Sequence, residues 1–115
     1  GEADIAIPLF DRSMELSRAA AAIVPAETKF ILVEGNYLLL DEAPWSKLRP
    51  LFDFAIFLDV QRDELERRLL QRWVEHGRAD GPAWVQSNDM PNVDRVLTKR
   101  LSANLVVQAM VRDAA

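Results

Sequence analysis

The apolar residues of this chain predict two buried strands with a short helix between them. The clearest apolar run lies in residues 29–34, where four consecutive large hydrophobic residues precede Glu34 and Gly35. A run without alternating polar positions is typical of a strand that is buried on both faces of a parallel sheet. A second run, residues 53–60, also ends near an acidic residue, and a brief helix is expected over residues 45–51. This order predicts a β-α-β unit.

The longest helical pattern covers residues 62–77. Apolar residues recur at helical spacing along it, acidic residues occupy its first turn, and Gly77 is a suitable C-terminal stop. On such a helix Arg68, Arg72 and His76 lie along one edge of the apolar stripe.

The remaining pattern is less regular. Residues 1–11 are predicted to be extended, and the alanine-rich residues 13–24 favour a helical turn by propensity before an extended approach to Pro25. A further helix is expected over residues 83–97, interrupted near Pro91, and a last strand over residues 104–107.

Composition restricts the class of protein. The chain has 115 residues and a net charge of −4, which suits one domain and argues against a nucleic-acid-binding face. It contains no cysteine and one histidine, so thiolate and multi-histidine metal sites are excluded. No apolar run approaches the roughly 20 residues of a membrane span, and no signal peptide is visible. We therefore expect a cytoplasmic protein without a membrane partner.

Candidate chemistry starts with Glu34, which would lie at the carboxyl end of the first strand. Ligands of open α/β sheets bind just outside that edge, although a solvated glutamate before a glycine turn would explain the pattern equally well.

Arg68 and Arg72 either contact a ligand or pair with Glu64 and Glu75 at helical spacings. His76 is expected to be structural or solvated. The three tryptophans are expected to anchor the core rather than to stack on a base.

Several short segments, in this order, resemble one kinase superfamily. It comprises uridine kinase, phosphoribulokinase and bacterial pantothenate kinase, and the similarity is greatest to bacterial nucleoside/nucleotide kinase family proteins, also called fructose-transport-system kinases. The segments are Pro8-Leu9-Phe10-Asp11-Arg12, Val33-Glu34-Gly35-Asn36-Tyr37-Leu38-Leu39, Phe57-Leu58-Asp59-Val60, Arg68-Leu69 with Arg72, Asn88-Asp89 with Asn92, and Ala103-Asn104-Leu105-Val106-Val107.

The resemblance implies an α/β fold, a three-layer P-loop NTPase-type parallel sheet with flanking helices and a lid over residues 62–82. It also implies a transferase that uses ATP and Mg²⁺, with Glu34 holding the metal or its waters. Arg68 and Arg72 would act on the ATP phosphates, with cofactor contacts from Arg78, Asn88 and Asn92. The acceptor substrate would contact Phe10, Asp11, Arg12, Asn36 and Tyr37.

The family's phosphate loop and catalytic aspartate are absent from this sequence. Its glycines are scattered, and none of its lysines follows a glycine. We therefore expect residues 1–115 to be a single partial domain, the C-terminal part of a longer small-molecule kinase, and inactive in isolation. Its substrate would be a nucleoside, pantothenate or a sugar, and its exposed apolar edges would favour assembly, for example as a homodimer. A non-catalytic nucleotide-binding remnant, a protein-interaction module and an adapter without a nucleotide role are the alternatives.

Overall fold

The computed structural model describes residues 3–11, 13–14 and 16–109. It divides into two units, Gly1–Val33 and Glu34–Ala115, and each unit is described by itself. No helix within the described ranges is both long and apolar enough to cross a membrane.

The first unit is an antiparallel hairpin of β1 (Ile5–Asp11) and β2 (Leu16–Val24). The pairing is irregular between Ile7 and Leu9, where Pro8 has no N–H group to donate across the strands. The extended start of the chain is thus confirmed, but the helical turn expected in residues 13–24 is wrong. Cross-strand hydrogen bonds along the hairpin outweigh the weak helical preference of the alanines, because propensity alone is a small term.

The central strand predicted over residues 29–34 is also wrong. Residues 25–35 pair with no strand in the described part of the chain, and the side chains of Phe30 and Leu32 are 88% and 97% exposed. An apolar run can only form a buried strand where neighbouring strands accept its backbone hydrogen bonds, and no strand of the described residues pairs with this segment.

The second unit is built around a parallel pair, β3 (Ile56–Asp59) and β4 (Leu105–Gln108), with Ile56 opposite Leu105. The connection between them carries α1 (Arg62–Glu75), α2 (Gly81–Trp84) and α3 (Met90–Thr98). The α/β class is confirmed. The predicted three-layer sheet is not observed, since this sheet has two strands within the described residues.

The expected helix over residues 45–51 is replaced by two 3₁₀ turns, Trp45–Lys47 and Arg49–Leu51. Pro50 contributes to this difference because it cannot donate an α-helical hydrogen bond. The buried apolar residues of the second unit lie on several of its segments and are Leu39, Leu40, Ala55, Val85 and Met90.

The long helices agree with the sequence pattern. α1 ends at Glu75 and is followed by Gly77 with φ +69°, the left-handed conformation expected of a helix stop. The predicted interruption of the last helix is a π-helical turn, Val85–Asp89, in which the Met90 N–H donates to the Val85 carbonyl. This wider turn ends two residues before Pro91, whose missing N–H and bulky ring prevent regular α-helical bonding.

Asn104 fixes the position of β4 beside β3. Its Oδ1 accepts hydrogen bonds from the Ala55 N–H at 2.7 Å and from Arg49 Nη2 at 3.1 Å. Its own N–H donates to the Ala55 carbonyl at 2.8 Å, and Arg49 Nε donates to the Ser102 carbonyl. The Asn104 side chain therefore accepts the hydrogen bond of the buried backbone N–H just before β3. It also sets the register between β3 and β4.

We expect Asn104→Ala to lower the free energy of unfolding by about 1–3 kcal/mol, because the buried Ala55 N–H loses its acceptor. Urea unfolding followed by circular dichroism measures this. Asn36→Ala is the matched control, since Asn36 is exposed and makes no hydrogen bond with a described residue. Equal stability of the two variants would contradict the role given to Asn104.

Candidate functional site

Three polar contacts join α1 to the π turn and to α3. Arg62 donates to both carboxylate oxygens of Asp94 at 2.6 and 3.1 Å, and Gln86 Nε2 donates to Glu66 at 2.9 Å. The third contact is a hydrogen bond from Trp73 Nε1 to Asp89 Oδ2 at 2.7 Å. We call α1, α2, the π turn and α3 together the helical hairpin. It is the element that carries Arg68, Arg72 and Arg78.

Glu64 is the one buried charged residue within the described ranges, and it holds two arginines. Arg67 donates to both of its oxygens at 2.8 and 2.9 Å, and Arg68 Nε donates at 2.7 Å. These hydrogen bonds, that of Arg67 foremost, lower the pKa of the Glu64 carboxyl to about 2. Arg68 is thus fixed by its Nε, while its two terminal nitrogens form no hydrogen bond with a described residue.

Arg72 differs from its neighbours on α1. Its guanidinium is exposed and forms no hydrogen bond or ion pair with a described residue. Pairing with Glu75 was the alternative suggested by helical spacing, but Glu75 instead accepts from Gln71 Nε2 at 2.9 Å. All five N–H donors of Arg72 are therefore available to a ligand from outside the described structure.

Arg78 lies in the turn after α1, and two of its nitrogens already donate to a carboxylate. Its Nε and Nη2 donate to the two oxygens of Asp80, and this hydrogen bonding raises the pKa of Arg78 above its ordinary value. Its guanidinium also lies against the rings of Trp73 and Trp84. The predicted contact of Arg78 with the cofactor stays a prediction.

The two predicted asparagines are half-buried within the helical hairpin. Asn88 Nδ2 donates to Asp89 Oδ1 at 3.0 Å, and Asn92 Nδ2 donates to the Asn88 carbonyl at the same distance. Each side-chain amide thus donates one hydrogen bond within its own helical segment. Its remaining N–H and its carbonyl oxygen are the atoms that a cofactor would contact.

Glu34 is exposed, and its carboxylate has no partner among the described residues. The described residues include no group of three or more histidine, aspartate or glutamate side chains that could hold a metal ion. A Mg²⁺ ion commonly keeps several waters and takes one or two protein carboxylates together with substrate phosphates. The metal role of Glu34 stays a prediction, and residues 29–34, which were expected to form the strand before it, form no strand within the described part of the chain.

The predicted acceptor-binding residues are distributed over both units. In the second unit Asn36 is exposed, and the ring of Tyr37 lies 5.5 Å from that of Trp45. In the first unit Phe10 is 52% exposed near the end of β1. Asp11 ends β1 without a described side chain, and Arg12 lies outside the described residues.

Sequence reasoning missed the carboxylates that organise this region. Asp80 accepts hydrogen bonds from Arg78, and Asp89 accepts one from Trp73. Trp73 and Asp89 are 16 positions apart, so no local sequence pattern predicts their contact. The Glu64 pairs were detectable, because residues three and four positions apart face each other on a helix.

The depressed pKa of Glu64 makes stability depend on pH. Because the pKa in the folded state is about 2 and the ordinary value is 4.5, the contribution of Glu64 is complete above pH 4.5 and is lost as the pH falls towards 2. We expect the thermal midpoint of Glu64→Gln to fall less than that of the parent chain across this range. Glu75→Gln, which removes a carboxylate bound to a neutral amide, is the control. An unchanged pH profile in Glu64→Gln would refute this role.

Comparison with known proteins identifies relatives over most of the chain. No family profile matches it. The Escherichia coli (strain K12) protein YggC is 37% identical over 109 residues, which cover 93% of this chain and 45% of YggC. The "ATP-dependent kinase YFH7" of Lachancea thermotolerans is 33% identical over 90% of this chain and 32% of its own length.

A crystal structure shows the same relationship in three dimensions. A protein from Silicibacter sp. TM1040, described as a "putative fructose transport system kinase", superimposes with a TM-score of 0.83 at 38% identity. The match covers 91% of this chain and 52% of that protein, so this chain spans about half the length or less of each of these three proteins. The predicted resemblance is therefore confirmed: this chain is related along nearly its whole length to a family of proteins that includes an ATP-dependent kinase.

Proposed function

We propose that this chain is the C-terminal part of an ATP- and Mg²⁺-dependent kinase that phosphorylates a hydroxyl group of a small molecule. The observation that carries the proposal is the guanidinium of Arg72 on α1, which has no partner among the described residues, in a chain that is similar to kinase-named proteins over about nine tenths of its length. Phosphoryl transfer requires mainly positioning and neutralisation of charge, which an exposed arginine on a braced helix supplies.

Two arginines of α1 would share the phosphate oxygens. Arg72 has its complete planar fork available, and Arg68 offers its two terminal nitrogens while Glu64 holds its Nε. A guanidinium held at one end loses less conformational freedom when it binds a phosphate. Arg68 and Arg72 lie one helical turn apart, so they would contact one polyphosphate together.

Glu34 would bind Mg²⁺ or its waters, and the bound ion would neutralise part of the phosphate charge. The phosphate-binding loop and the base for the acceptor hydroxyl would come from another part of the complete gene product. The acceptor would be of the nucleoside, pantothenate or sugar type and would contact Phe10, Asp11, Arg12, Asn36 and Tyr37. These assignments rest on the resemblance of the segments that contain them.

A second candidate function is a protein-interaction module without catalysis. The exposure of residues 30–33, each at least 60%, favours it, since exposed apolar patches commonly mark interaction sites. The two candidates differ in ATP dependence. A kinase gains thermal stability from ATP and Mg²⁺ by mass action and releases ADP with an acceptor, whereas an interaction module does neither.

In the complete gene product we expect Arg72→Ala to lower kcat/KM by about 10²-fold, through loss of a charged donor to the phosphates. ADP release over a panel of nucleosides, pantothenate and sugars measures this. Arg67→Ala is the matched control on the same helix, because the Arg67 donors are already bound to Glu64 and Gln71. Equal losses in both variants would show that Arg72 contributes only general charge.

We also expect Glu34→Gln to lower kcat severely while the unfolding midpoint stays the same, because an exposed carboxylate without a partner among the described residues contributes little to folding. Turnover is measured against Mg²⁺ concentration in the complete gene product. A wild-type rate at saturating Mg²⁺ would refute the metal role. Absence of ADP release from the complete gene product with every acceptor would refute the kinase proposal itself.

A further inference from the structure

The turn between α1 and α2 contains an arginine that is enclosed by three side chains. The guanidinium carbon of Arg78 lies 4.3 Å from the ring centroid of Trp84 and 5.2 Å from that of Trp73. Its Nε and Nη2 donate to the two oxygens of Asp80 at 2.6 and 3.1 Å. Two aromatic rings and a bidentate carboxylate restrict a side chain that is usually among the most flexible.

The backbone of the turn is tied to the same residues. The Arg78 N–H donates to the Trp73 carbonyl at 3.0 Å, and the Gly81 N–H donates to the Arg78 carbonyl at 3.2 Å. A Cβ atom at Gly81 would lie only 2.8 Å from the Cβ of Trp73. α2 therefore begins in direct contact with the last turns of α1.

Trp73 is itself fixed to the next helix. Its indole N–H donates to Asp89 in the π turn at 2.7 Å, and Asp89 also accepts from the Asn88 amide. The ring against which Arg78 stacks thus cannot turn away without leaving a half-buried indole N–H unsatisfied.

This set of contacts lies next to Arg72, the residue before Trp73. The Arg72 carbonyl accepts from the backbone N–H of His76 at 3.0 Å and lies 2.6 Å from the His76 ring nitrogen Nδ1. The last turn of α1, which carries Arg72, therefore ends three residues before the enclosed arginine, whose N–H donates back to Trp73 in that turn.

We propose that Arg78 is a positioning residue. Stacked between Trp73 and Trp84 and bound to Asp80, it locks the turn of residues 76–81 and so fixes the last turn of α1, where Arg72 meets phosphate. The proposal deepens the proposed function and rests on the phosphate role of Arg72. Arg78 keeps N–H donors that no described residue accepts, so direct contact with phosphate is the competing outcome of the test.

Amide hydrogen exchange of the complete gene product, followed over residues 72–81, tests the lock without any ligand. We expect Arg78→Ala and Trp84→Ala each to speed exchange of the amides in residues 72–81 by about fivefold, the upper end for one cation–π contact at a partly exposed site. The double variant should exchange no faster than the faster single one, because both changes remove the same contact. Trp45→Phe, outside the helical hairpin, is the control.

Calorimetric titration with inorganic tripolyphosphate tests the consequence for binding. We expect Arg78→Ala and Trp84→Ala to raise Kd by similar factors, again about fivefold, and Arg78→Lys to raise it less because a cation remains between the rings. A merely structural contact would lower the unfolding midpoint and leave Kd unchanged.

The outcomes separate the two proposals. Unchanged exchange in Arg78→Ala overturns the lock, and so does a Kd that rises in Arg78→Ala but not in Trp84→Ala, which would make Arg78 a direct ligand. A Kd that is unaffected by Arg72→Ala overturns the phosphate role of Arg72, while the exchange rates still decide on the lock.

Discussion

The hydrogen bond from the Trp73 indole to Asp89 is the contact on which the helical hairpin depends most. A half-buried indole N–H needs an acceptor, and the π turn places a carboxylate at the required point. With the ring fixed, its face is available to Arg78, and its Cβ packs against the glycine that begins α2. Replacing that acceptor would therefore loosen the turn as well as the packing of the two helices.

The arginines of this region are distinguished by their partners rather than by their type. Arg67 donates hydrogen bonds to Glu64 and Gln71, and Arg68 donates to Glu64 through its Nε only. Arg72 has no hydrogen-bond partner among the described residues. A partly held arginine is preorganised for a ligand, whereas a fully paired one is structural. This difference supports assigning ligand contacts to one edge of α1 and a bracing role to the other arginines.

Elements whose stability is local were predictable from the sequence. The periodic stripe, the acidic first turn and Gly77 located α1 to within two residues, and the Pro91 interruption was expected close to its position. For the site, the sequence identified Arg68 and Arg72 as neighbours on one helix edge. It could not tell whether these arginines pair with Glu64 and Glu75 or remain available to a ligand, because helical spacing permits both pairs.

By itself, the sequence determined the α/β class, the long helix and the kinase relationship, because these depend on periodicity, turn residues and short ordered segments. Only the tertiary structure decided the β2 hairpin strand, the lack of strand pairing of residues 25–35 within the described part of the chain, and the partners of Glu64, Asp80 and Asp89. Strand pairing and long-range hydrogen bonds depend on which segments meet in space, and apolar pattern alone does not specify the neighbour. The residues that surround Arg78 illustrate this: the two tryptophans are 11 positions apart in the sequence and meet on one guanidinium in the fold.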